Sequence, residues 1–402
     1  MRKSKYIFFL LFIFIQLGFS QADTIRVATY NFLNFPGNDS GERIPYFRTV
    51  LRNMNPDILV TQEIQSQVGV NAIASQALNN RYSTVPFHDG EDTDNSIFFR
   101  TGAFTFVKSN YIRTDLRDIA EYVLTDNLSG EELHVFSAHL KASQGSDNEQ
   151  KRLAEVRILI NHLENLPAGT NAIVVGDFNI YSGSEPAFTE LIGTETLLDP
   201  IHDSGYWHNN GTYSYLHTQS PRIDQFGGGS TGGLDDRFDM ILISNSLADN
   251  FLPGSYTAYG NDAHHFNESI NQGANSAVAD SIADALYYAS DHLPVYCEFV
   301  FGTPASLSHD KNQAVHSMAL FQNYPNPFNP ATRIDFQIGQ RQFVSLKVFD
   351  LLGHEVSVLV HAELAPGNYH VTFDGENLPG GIYFCRLQCP DQTMIKKMVL
   401  LR

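Results

Sequence analysis

Apolar and polar positions change period several times along the chain. From Thr24 they alternate, and Ile25-Arg26-Val27-Ala28-Thr29-Tyr30-Asn31 reads as a strand. Phe47 to Met54 predicts a short helix stopped near Pro56, followed by a strand over Asp57-Ile58-Leu59-Val60-Thr61-Gln62-Glu63. Residues 66–79 have helical spacing. Ser96 to Phe106, Tyr122 to Leu124 and Leu133 to His139 predict further strands. A long helix is expected over about Asp147–Leu166, with Leu153, Val156, Ile160 and Leu163 on one face and a capping box from Ser146 to Glu149. Asn171 to Val175 is a buried-type strand running into Gly176-Asp177-Phe178-Asn179. Arg237 to Ile243 and Pro294 to Val300 complete the strands, with a helical stretch near 276–288.

Several strands follow one another without a helix between them, so a mixed α/β arrangement is expected. Two sheets face to face, with helices outside, would cover every apolar face. Residues 204–236 read as a long loop of the kind that rims a site. Its run Gly227–Gly233 lacks the Gly-Lys-Ser/Thr ending of a phosphate loop, so it is expected to be mobile and without a nucleotide role.

The pattern changes again after Phe301. Residues 302–317 read as a linker. The prolines of Asn323-Tyr324-Pro325-Asn326-Pro327-Phe328-Asn329-Pro330 exclude a helix. Strands are expected at 332–338, 343–349, 355–360, 368–373, 381–387 and 393–401, forming a small all-β sandwich. The domain reading is therefore 1–22 as a signal peptide, 23–301 as the catalytic body, 302–317 as a linker and 318–402 as the C-terminal sandwich.

Composition sharpens this picture. With 402 residues, 43% of them hydrophobic, the chain can bury large cores and is not a disordered protein. Arg2, Lys3 and Lys5, then an apolar run from Tyr6 to Phe19 and small residues Ser20 and Ala22, read as an export signal. The formal charge is −18, and residues 23–305 alone carry −21. A body this acidic is not a basic nucleic-acid binder acting by counterion release. It can act on phosphate if a metal ion supplies positive charge. Cys297, Cys385 and Cys389 match neither a disulfide framework nor a zinc cluster.

Polar groups gather where hydrophobic strands end: Asn31, Glu63, His139, Asp177 with Asn179, Asp239, and Asp291 with His292. Taken singly, each also reads as a turn residue, a cap or a packed histidine. Converging from different strands, they suggest a cleft lined for a cation. The oxygens of Asn31, Glu63 and Asp291 suit Mg²⁺, with Mn²⁺ as the alternative. A structural Ca²⁺ stays open, with no ligand set assigned. Asp177 would orient or deprotonate a water, Asn179 would bond a phosphoryl oxygen, and Asp239 would fix the tautomer of an acid–base His292. His139 would donate to a non-bridging oxygen or protonate the leaving group.

The ordered set Thr29-Tyr30-Asn31, Thr61-Gln62-Glu63, Ser137-Ala138-His139-Leu140-Lys141, Gly176-Asp177-Phe178-Asn179, Arg237-Phe238-Asp239-Met240-Ile241 and Ser290-Asp291-His292-Leu293-Pro294-Val295 resembles the endonuclease/exonuclease/phosphatase superfamily over Ile25–Val300. The resemblance implies a four-layer α/β sandwich. It implies Glu63 as main metal ligand, Asn31 and Asp291 near the metal, and His139, Asp177, Asn179, Asp239 and His292 as catalytic groups. In the deoxyribonuclease branch a glutamate pairs with the counterpart of His139; here Asp94 is the nearest candidate. His139 and the export signal point towards the secreted nuclease or sphingomyelinase-like branches, and extracellular nucleic acid, the least demanding substrate, makes a secreted endonuclease the favoured reading. A sphingomyelinase-like or inositol-polyphosphate-phosphatase-like hydrolase is the alternative, and a non-catalytic binding protein the competing class.

The tail motifs Asn323–Pro330, Val348-Phe349-Asp350-Leu351-Leu352-Gly353 and Leu378-Pro379-Gly380-Gly381-Ile382-Tyr383 resemble the C-terminal sorting domain of the type IX secretion system. The resemblance implies export through the periplasm to the outer surface or medium, with the secretion machinery as partner. The mature protein is expected to be a monomer without stable membrane insertion.

Overall fold

The computed structural model describes residues 23–301 and 318–402, apart from 38–39, 194–195, 325, 340, 352, 365–366, 377 and 390–391. The expected signal peptide and linker lie outside the described residues.

In the body, six strands form one sheet in the order β11 (Thr257–Ala258), β12 (Val295–Phe301), β1 (Asp23–Phe35), β2 (Ile58–Ile64), β4 (Asp94–Arg100), β3 (Tyr82–Thr84). Six more form a second, in the order β5 (Phe104–Ile112), β6 (Ile119–Asp126), β7 (Glu132–His139), β8 (Asn171–Asp177), β10 (Asp239–Ser244), β9 (Leu197–Leu198). Both are mixed: β1 runs parallel to β2 and β7 parallel to β8, whereas β12 and β10 are antiparallel to their neighbours.

Side chains of a strand point alternately to its two faces. Val27, Val60 and Ile97 of the first sheet therefore meet Val135, Ile173 and Ile241 of the second in a central core. The opposite face of the first sheet, including Ala28, Tyr30 and Leu59, packs under α1 (Ser40–Met54), α2 (Gln67–Ala72) and α5 (Asp280–Ala289). The outer face of the second, including Phe136 and Val174, packs under α3 (Ser146–Glu164) and α4 (Pro186–Gly193). The result is the expected four-layer α/β sandwich.

Three local expectations change. The run 96–106 is two strands in different sheets, because the chain crosses between them at Thr101–Ala103, with Gly102 at φ +86°. Helix α1 starts at Ser40 rather than Phe47. Its first half is anchored by a buried Arg43, whose guanidinium donates to the carbonyls of Phe32, Leu33 and Ala289. The capping box does not form: Gly145 is the N-cap of α3 and Ser146 lies inside the helix.

The C-terminal unit packs a three-stranded sheet, β13 (Ala319–Leu320), β14 (Ala331–Ile338) and β17 (Gly367–Asp374), against a four-stranded one. The latter has the order β16 (Glu355–Leu364), β15 (Gln342–Phe349), β18 (Gly381–Gln388), β19 (Thr393–Leu400). Its core holds Ile334, Phe336, Leu346, Val348 and Leu387. All three cysteines are buried and free.

Candidate metal centre and acid–imidazole cluster

The site is the polar end of the central core. On β1, Val27 faces inward, so Thr29 and Asn31 do too. On β7 the series is Val135, Ser137, His139; on β8 it is Ile173, Val175, Asp177; on β10 it is Ile243, Ile241, Asp239. Each strand places its chemistry one or two steps beyond its last inward apolar residue. Below the site, Thr29 Oγ1 donates to Gln62 Oε1, Gln62 Nε2 to Ser137 Oγ, and Ser137 Oγ to Asn95 Oδ1, at 3.1, 3.0 and 2.8 Å. This chain of hydrogen bonds ties the two sheets together as the core turns from apolar to ionised.

Glu63 breaks the alternation. After Ile58, Val60 and Gln62 it belongs on the outer face, but its φ of +60° turns it back towards the cleft, a conformation few non-glycine residues adopt. The turned backbone is held on both sides of the carboxylate. Asn31 Nδ2 donates to Glu63 Oε1 at 3.0 Å, and Asn34 N–H to Oε2 at 2.8 Å. Asn31 Nδ2 also reaches Asp177 Oδ2 at 3.1 Å, while its Oδ1 accepts from Leu33 N–H. Asn31 therefore bridges two acids through its amide nitrogen, and its oxygen serves the backbone.

Asp177 Oδ2 lies 3.5 Å from His139 Nε2 and 3.6 Å from His292 Nε2. His292 Nδ1 is 2.7 Å from Asp239 Oδ2, which leaves Nε2 facing Asp177 and the Gln219 carboxamide. Asn179 closes the turn after β8 at φ +51°. Its N–H donates to Asp177 Oδ1, and its Nδ2 donates to the carbonyl of Leu140. Asp291 accepts from Ser230 N–H. The suggested partner of His139 is not one. Asp94 turns both oxygens to Gly90 N–H, and among the described residues His139 Nδ1 is buried with no hydrogen-bond partner.

Burial raises the pKa of Glu63, and Asp291 raises it further, against the hydrogen bond from Asn31. Asp177 is pushed up to about 7, mainly by burial. Burial alone would lower His292, but the carboxylates of Asp239 and Asp177 outweigh it and hold the imidazole well above its ordinary value. His139 falls well below its ordinary value through burial and then through Arg117 and His292. The surroundings thus favour the charged form of His292 and the neutral form of His139.

A divalent cation fits these residues. Ligating atoms of Glu63, Asp177 and His139 lie within 4.8 Å of one another. Among the described residues, Asp291 Oδ1 and Asp239 Oδ1 are buried without a partner. The carboxyl groups of Glu63, Asp177, Asp239 and Asp291 outnumber the two imidazoles, and a hard cation among them would favour their ionised forms. A second group, His208, Asp235 and Asp236, meets the same distance limit, with His208 Nδ1 2.8 Å from Asp236 Oδ1. Sequence reasoning missed Gln219, Arg117 and Thr218. Thr218 Oγ1 accepts from the Asp239 amide, and no period or motif marks any of the three.

A family model described as the endonuclease/exonuclease/phosphatase family matches residues 28–292, and one described as the secretion system C-terminal sorting domain matches residues 322–401. No curated protein matches the chain. Among solved structures, an endonuclease/exonuclease/phosphatase family protein from Bacteroides thetaiotaomicron is similar at 20% identity and TM-score 0.49, over 70% of this chain and 99% of that one. A mannosyl-6-phosphatase from the same organism is similar at 21% identity and TM-score 0.46, over 69% and 100%. Truncated TDP2 from Caenorhabditis elegans is similar at 17% identity and TM-score 0.49, over 69% and 98%.

Proposed function

The chain belongs to the endonuclease/exonuclease/phosphatase family, and from that premise we propose that it is an exported endonuclease that hydrolyses extracellular nucleic acid. The coarser assignment, a metal-dependent phosphoesterase, follows from the family and from the acid–imidazole cluster. The sorting domain supports export to the cell surface or beyond.

The observation that carries the reading is Asp177 set between two buried imidazoles, one of them bonded to Asp239. Glu63 and Asp177, with Asp291 beside them, would hold the cation. When bound, it supplies Lewis-acid neutralisation of the phosphoryl oxygens. Asp177 orients the attacking water and takes its proton. As the bond from water to phosphorus forms, the bond to the leaving ester oxygen breaks, and His292, favoured as imidazolium by Asp239 and Asp177, gives its Nε2 proton to that oxygen. His139, neutral, donates through Nε2 to a non-bridging oxygen, and Asn179 lines the same turn. A nucleic-acid backbone asks little more of such a site than its repeated phosphodiester, and contacts to a few phosphates suffice to position it.

The test is Mg²⁺-dependent nicking of circular plasmid DNA by the purified protein and by Glu63→Ala. Nicking that chelation abolishes and the variant lacks is expected. A parent that leaves DNA and RNA intact while hydrolysing a sugar, lipid or inositol phosphate overturns the substrate assignment.

A further inference from the structure

The glycine run has a place in the site. Its neck is closed by Ser220 N–H to Gly233 O at 2.9 Å, and by the N–H groups of Gly232 and Gly233 to Arg222 O. Arg222 Nη2 holds Gly228 O at 2.9 Å, and Ser220 Oγ holds Ser230 O at 3.0 Å. At its outer end Phe226 meets Tyr288 edge-on, with ring centroids 5.1 Å apart. The segment is a tied strap.

Its inner end lies on Asp291. Ser230 N–H donates to Asp291 Oδ2 at 2.6 Å, and among the described residues the other oxygen, Oδ1, is buried without a partner. A carboxylate with one oxygen fixed and one bare is an oriented carboxylate. Gly229 stands at φ +78°, where a Cβ would meet Asp291 Oδ2 at 2.5 Å and Leu33 Cδ1 at 2.8 Å. Its neighbour Gly228, at φ +88°, has nothing within 4 Å of a Cβ. Both positions need a left-handed backbone, but only 229 also needs an absent side chain, because it lies against Asp291.

We propose that the Gly229–Ser230 peptide is a positioning element that orients Asp291, so that Oδ1 is presented to the cation site it shares with Glu63. The proposal rests on reading Glu63 and Asp291 as metal-side acids. Hydrogen-bonding partners of this kind typically change metal affinity by about 10–100-fold.

Calorimetric titration of Mn²⁺ into the full chain tests it, with Glu63→Gln identifying the binding that belongs to this site. Gly229→Ala is expected to weaken that binding about tenfold. Gly228→Ala bears the same backbone strain without the clash and should leave it nearly unchanged. In an Asp291→Ala background, Gly229→Ala should add no further loss. If Gly229→Ala does not fold, Ser230→Pro deletes the amide donor and carries the same expectation. Equal affinities for Gly228→Ala and Gly229→Ala, or an undiminished effect in Asp291→Ala, overturn the proposal while leaving the metal reading intact. A parent that binds no Mn²⁺, or a Glu63→Gln variant that binds as the parent does, overturns the metal reading and this proposal with it.

Discussion

The 2.7 Å hydrogen bond from His292 Nδ1 to Asp239, with the charge behind it, does most to favour the imidazolium, ahead of Asp177. Asp239→Asn keeps the shape and removes the charge, so kcat should fall about 10²–10⁴-fold, the usual range for a disabled acid–base group. Steady-state kinetics at matched metal, with circular dichroism as the fold control, measures this. A second pair gives a pH signature away from the metal. Asp262 Oδ1 and His265 Nδ1 are 2.8 Å apart, and hydrogen bonding lowers Asp262 against its burial while the Asp262 bond raises His265. The raised histidine stabilises below its unfolded pKa and loses that as pH rises through its folded value. The lowered aspartate stabilises above its unfolded pKa and loses that as pH falls through its folded value. Asp262→Asn should therefore cost more stability at pH 5.5 than at pH 9 in urea unfolding. At this scale the strand-end acids were legible because their types were out of place on apolar strands. Gln219 and Arg117 were not, because an amide and a guanidinium on loops look like any solvated residue.

Helix α3 shows how an element serves the site without touching it. Its fully buried Arg152 pairs with Glu185 and donates to the carbonyls of Lys141 and Ser143, which pins the chain just after His139. Removing one partner of such a buried pair costs about 3–5 kcal/mol. Glu185→Ala should show that loss in denaturant unfolding and a lower kcat, since the segment carrying His139 loses its anchor. The apolar face of this helix, Leu153, Val156, Ile160 and Leu163, was readable from spacing and is buried as expected. The first half of α1 was not. Pro45 and the charged residues around it argue against a helix locally, and the buried Arg43 that fixes it is invisible to a hydrophobic period. The crossing at Thr101–Ala103 was hidden for a related reason: strands on either side of it are equally apolar, and pattern does not say which sheet takes each.

Across the whole molecule, charge and linkage make further expectations. A body carrying −21 repels a polyanion at long range. Added salt screens that repulsion, so if nucleic acid is the substrate, as proposed, its KM should fall between about 20 and 150 mM ionic strength, where the Debye length shortens to about 8 Å. A basic binder would show the reverse. The sorting unit meets the body at Tyr324, whose ring centroid is 6.4 Å from that of Tyr215, and through Arg333, which donates to the Ile201 carbonyl. Neither contact involves a residue of the acid–imidazole cluster. Removing residues 318–402 should abolish appearance of the enzyme in the medium and leave kcat of the recovered body unchanged; cell fractionation followed by kinetics reads both.

Because the proposed catalytic groups follow inward core residues on the same strands, the cleft works as a caliper for the spacing of the two sheets. Glu63 and Asn31 ride on one jaw, His139, Asp177 and Asp239 on the other, and the apolar stack beneath them sets the gap. A cavity made at the top of that stack, as by Val175→Ala, should let the jaws settle by a fraction of an ångström. Turnover should register that settling beyond what the lowered melting temperature accounts for, so activity becomes the finer gauge of how this core is packed.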